Sequence, residues 1–76
     1  MKVYGFNESA DEAILLTDVS ISFEPEAMRE FAKFVAFAAS EMERLGPDQY
    51  DHMHFRDFPT WQESWPDIQL TKIYAV

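Results

Sequence analysis

The sequence predicts a small α+β domain. The expected architecture is a four-stranded, mostly antiparallel sheet with one long helix on one face and a short second helix, in the order β-β-α-β-α-β. Three observations lead there. Residues 24–45, EPEAMREFAKFVAFAASEMERL, carry apolar side chains at alternating spacings of three and four. Four shorter stretches are rich in β-branched and aromatic residues. Polar or proline-containing turns separate them.

Residues 2–6, KVYGF, are short, aromatic and β-prone, and read as a first strand. Residues 7–12, NESADE, form a polar turn, so an antiparallel hairpin with the next stretch is the natural pairing. That stretch, residues 13–23, alternates from Thr17 onward. Val19, Ile21 and Phe23 point one way, Asp18, Ser20 and Ser22 the other. Its earlier part, Ile14-Leu15-Leu16, is apolar on both faces and suggests a bend.

The long helix follows. Met28, Phe31, Val35, Ala38, Met42 and Leu45 fall on one face, which Phe34 and Phe37 widen. Pro25 suits the first helical position, where its missing N–H has no intrahelical partner. Glu24 and Glu26 place negative charge at the positive end of the helix dipole. Gly46-Pro47 is a stop signal: glycine takes a left-handed conformation and proline cannot continue the helix. Residues 49–55, QYDHMHF, alternate again, with Tyr50, His52 and His54 opposite Asp51, Met53 and Phe55. Residues 58–65, FPTWQESW, predict the short second helix, with Trp61 and Trp65 one turn apart. Residues 68–76, IQLTKIYAV, predict a final strand.

At 76 residues the chain is expected to form one domain, residues 1–76. It has no cysteine, so neither disulfides nor thiolate chemistry enter. The apolar fraction of 47% and aromatic fraction of 16% suffice for a core. Net charge is −8, from 14 acidic and 6 basic residues. Such a surface repels phosphate backbones and anionic membranes, and attracts a basic protein partner. No run reaches the roughly 20 apolar residues of a membrane span. The opening MKVYGFNESADE has no apolar stretch typical of a secretion signal, so a cytoplasmic protein is expected. One long helix covers only one face of a sheet, so some exposed apolar surface is predicted, either for an interaction or for a homodimer.

Candidate chemistry is sparse. His52-x-His54 resembles a metal pair, because strand alternation puts both imidazoles on one side. A site needs further ligands, and the plainer reading is two solvated histidines, so no metal or cofactor is expected. The sequence has no nucleophile elbow, phosphate-binding glycine loop or dinucleotide fingerprint, and catalysis is not expected. The densest aromatic cluster is Phe55, Phe58, Trp61 and Trp65. Phe55 and Trp61 are expected to point inward, with Phe58 or Trp65 at the rim. With Asp57 and Glu63, the residues Phe58, Trp61 and Trp65 make the candidate partner-binding surface, since tryptophan is enriched at binding hot spots.

The start KVYGFNE, the helix SFEPEAMREFAKFVAFAASEM and the segment HMHFRDFPTW together resemble immunity protein family 32 of bacterial polymorphic toxin systems. The likeness spans nearly the whole chain. It implies a small cytoplasmic protein that binds and neutralises a toxin, and it supplies no catalytic or ligand positions. Two other classes remain open from the residues: a structural homodimer with an unrelated role, and a metal- or ligand-binding domain using His52 and His54.

Overall fold

Helix α1 spans Pro25–Leu45 in the computed structural model, which describes residues 1–7 and 11–73. Pro25 opens it, and the Glu24 carbonyl accepts from the Met28 N–H at 3.0 Å. Ion pairs Glu30–Lys33 and Glu41–Arg44 tie successive turns on its polar side. The helix ends at Gly46, whose N–H donates to the Met42 carbonyl. Gly46 has φ 76° and ψ 175°. Its φ is positive, as expected, but its ψ is extended. Pro47 explains this, because a residue before proline is driven to extended ψ. That corner of backbone space is essentially restricted to glycine. Gly46→Ala is therefore expected to destabilise the fold by about 1–3 kcal/mol through backbone strain alone. A Cβ there meets nothing within 4 Å, so no clash contributes. Urea titration followed by circular dichroism measures the loss, and an unchanged midpoint would contradict it.

The rest of the chain departs from the expected single sheet. Strand β1 (Val3–Gly5) pairs antiparallel with β2 (Ile14–Leu16), opposing Val3 to Leu16, Tyr4 to Leu15 and Gly5 to Ile14. Strand β3 (His52–His54) pairs antiparallel with β4 (Gln69–Thr71), opposing Met53 to Leu70. These are two separate two-stranded sheets, not one of four strands. The hairpin expected between the first two strands is present. Residues 17–23, expected to continue the second strand, are irregular. Alternation fixes which side of a strand is apolar, not which strand lies beside it. Of the Val19, Ile21 and Phe23 row, only Phe23 is half-buried, stacked 5.4 Å from Phe31. Residues 74–76 of the expected last strand, and residues 8–10 of the expected first turn, lie outside the described residues.

The expected second helix over residues 58–65 is also absent. A 3-10 turn at Phe55–Asp57 is followed by isolated turns. Phe58 N–H donates to the Phe55 carbonyl, Trp61 N–H to Phe58, and Trp65 N–H to Gln62. Each bond closes over three residues, so no α-helical ladder develops. An eight-residue segment that begins and ends near prolines is too short to sustain one.

The core centres on Phe34, Ala38, Tyr50 and Phe55. The buried line on α1 is rotated from the expected one. Ala27, Phe31, Phe34, Ala38, Met42 and Leu45 are buried or half-buried, while Met28, Val35 and Phe37 are exposed. The rotation puts the Phe34 ring at the centre, 5.2 Å from Phe55 and 5.6 Å from Phe58. Tyr50 is buried with its hydroxyl donating to the Leu70 carbonyl at 2.7 Å, which ties the end of the helical connection to β4.

Candidate functional site

The segment after β3 threads between the helix and β4 and presents two hollows, one on either side of Phe55. Phe55 itself is 2% exposed and anchors the segment. Its N–H donates to the Ile68 carbonyl at 2.8 Å, extending the β3–β4 ladder by one bond. Its ring touches Phe31, Phe34 and Trp65.

On one side, Trp65 stacks on Phe55 at 5.6 Å and is half-buried. It borders a groove of about 390 Å³ lined also by Phe23, Glu24, Glu26, Ala27, Phe55 and Ile68. Trp61 is also half-buried, and its indole N–H donates to the Pro66 carbonyl at 3.1 Å. That bond closes the loop over residues 61–66. Glu63 is exposed at its tip.

On the other side, Phe58 is half-buried, 5.6 Å from Phe34 and 6.2 Å from Phe37. It borders a more open hollow of about 500 Å³ with His52, His54 and Asp57. Asp57 is exposed. Of the expected rim and interior positions, Phe55 is fully buried, while Trp61, expected inward, is half-buried like Phe58 and Trp65. The five candidate residues do not form one patch around a single hollow. Phe58 and Asp57 line one, Trp65 the other, and Trp61 and Glu63 belong to the loop between.

The histidines carry a hydrogen-bonded network that residue spacing did not reveal. Nδ1 of His54 lies 2.6 Å from Oδ2 of Asp67, and Oδ1 of Asp67 accepts the Arg56 N–H at 3.0 Å. Nδ1 of His52 lies 2.6 Å from Oδ2 of Asp51. The two imidazoles meet edge to face at 5.0 Å. Only the Asp51-His52 adjacency was visible in sequence; Asp67 is brought to His54 by the ladder. A carboxylate on Nδ1 orients an imidazole as it does around bound metals. Among the described residues, however, no group of three His, Cys, Asp or Glu side chains is placed to hold a metal ion.

Partial burial alone would raise the Asp67 carboxyl, but the Arg56 N–H, His54 and the Arg56 guanidinium outweigh it and hold the group below its usual value. A carboxylate depressed in the folded state adds stability above its unfolded pKa and loses it as pH falls through the folded one. Asp67→Asn is therefore expected to cost about 1 kcal/mol at pH 7, modest because the carboxylate is partly solvated. The gap between the two proteins should begin to narrow below about pH 4, the unfolded value, and close only below the lower folded one. Urea unfolding of both at a series of pH values from about 7 down to about 2 checks this, and a gap that does not narrow over that range would refute the linkage. A second tie, the Thr60 hydroxyl donating to Oε2 of Glu30 at 2.6 Å, fastens the loop to α1. That bond and the Lys33 bond lower the Glu30 carboxyl.

No family model, no curated protein and no solved structure matches the chain. Among the described residues, no helix is long and apolar enough to cross a membrane.

Proposed function

We propose that this chain is a non-catalytic binding protein that neutralises a cognate bacterial toxin, using an acidic, aromatic-containing surface around residues 57–65 and the groove beside it. The observation that carries the reading is the groove at Trp65, which Phe23, Phe55 and Trp65 line together with Glu24 and Glu26. That combination suits an arginine or lysine side chain, whose stem lies on the rings while its head meets the acids. The net charge of −8 would hasten encounter with a basic protein. The resemblance of the three sequence segments to immunity protein family 32 supports a toxin as that protein. Phe58 and Trp65 are held by their rings against Phe34 and Phe55, and Trp61 by its bond to the Pro66 carbonyl, which preorganises them for docking.

The test is titration calorimetry against the toxin domain encoded beside this gene. Binding is expected to weaken as salt rises. Glu24→Lys with Glu26→Lys should reduce affinity by about tenfold or more, because the change replaces attraction with repulsion at the groove. Absence of heat and of co-elution at low salt would remove the toxin reading.

A further inference from the structure

We propose that the outer face of the β1–β2 hairpin, which carries Tyr4 and Leu15, is a self-association surface on which a second copy of this chain lies. This face is separate from the groove at Trp65, so the inference stands apart from toxin binding.

The first argument is area. The chain exposes 6468 Å². A folded monomer of its mass exposes about 4,800 Å² by the surface scaling of monomeric proteins. The excess, roughly 1,600 Å², is about twice what each partner buries in a standard interface and falls in the range of obligate homodimers. The radius of gyration agrees: it is 13.4 Å, against about 11.4 Å for a compact domain of this length.

The second argument is the apolar surface exposed on the hairpin. Tyr4 and Leu15 oppose each other across the ladder and are 51% and 60% exposed. Phe6, on the same side by strand alternation, is exposed as well. Val3, Gly5 and Leu16, on the opposite side, are half-buried, while Ile14 on that side is 57% exposed. A two-stranded hairpin with one apolar face in water is marginal on its own, and a third layer or more strands are needed to hold it.

The third argument chooses the occupant. Within residues 2–6 and 13–17 the one charged side chain is Lys2. The nearest described acids, Asp11, Glu12 and Asp18, sit in the turn and beyond the second strand. A basic protein therefore finds no charge partner on this face. A copy of the chain meets an apolar patch whose one charge, Lys2, lies at its edge beside Tyr4 by alternation, so no like-charge contact falls at its centre, which a two-fold axis requires.

The experiment is sedimentation equilibrium of the full chain between roughly 10 µM and 1 mM, a span that covers weak and moderate association. The wild type is expected to approach twice its 8.9 kDa mass. Leu15→Glu should weaken the dimer by about a hundredfold, since it buries a charge against its own copy. Its helical circular dichroism should be retained, because Leu15 makes little of the core. A monomer throughout the range overturns the proposal, as does a dimer indifferent to Leu15→Glu. If Leu15→Glu does not fold, amide exchange of the wild type decides. Protection of the Val3–Gly5 and Ile14–Leu16 amides that rises with concentration supports the surface, and protection independent of concentration refutes it.

Discussion

Phe34→Ala is expected to leave the chain largely unfolded at room temperature. Phe34 is fully buried, and its ring meets Phe31, Phe55 and Phe58 at once. Truncating such a residue costs about 3–5 kcal/mol, through lost burial and the cavity left behind. A core in a domain of this size rarely supplies more than that same 3–5 kcal/mol or so in total. No disulfide holds the chain when the core fails. Far-UV circular dichroism and urea titration read the result directly. Val35→Ala is the comparison, one position along the same helix but exposed. It should change stability by about 0.5 kcal/mol or less. Equal effects from the two substitutions would mean that the helix is docked by a different face.

Phe55→Ala should cost a similar 3–5 kcal/mol or so by the same mechanism, with a second signature. Phe55 joins the helix rings to Trp65. Removing it takes away the surface on which Trp65 stacks, so near-ultraviolet circular dichroism should collapse and tryptophan emission shift to the red. Phe55→Leu keeps most of the apolar volume and should recover much of the loss in stability, while the stacking signature stays weakened. A near-ultraviolet spectrum unchanged by Phe55→Ala would show that Trp65 is held from elsewhere. The effects of Phe34→Ala and Phe55→Ala should not add, because the two rings share one contact.

The helix was legible in sequence to within one residue, for local reasons. Pro25, the three-four spacing and Gly46-Pro47 all act within a turn or two of chain. Which stripe of that helix is buried was less legible. Met28, Val35 and Phe37 continue the apolar pattern as well as Ala27 and Phe34 do, and only the position of Phe55 decides between them. The first hairpin was legible because its strands are close in sequence. The number of sheets was not, because nothing in residues 17–24 states whether a neighbouring strand exists. The aromatic residues of the candidate site were legible as a cluster by composition. Their division between two hollows was not, since it follows from turns that replaced the expected helix. Asp67 escaped notice because its partner His54 lies thirteen positions away.

The ring cluster also sets an order on how the chain can assemble. The β1–β2 ladder and the long helix close between near neighbours in sequence, so each can form while more of the polypeptide is still being synthesised. Phe34 nevertheless lacks its partners Phe55 and Phe58 until they have been made, and Phe31 has only Phe23 and Phe34 to rest against. A ribosome-bound intermediate lacking its last third therefore displays a phenylalanine-studded helix to the surrounding solution. That interval, rather than the finished molecule, is when the polypeptide most needs a chaperone.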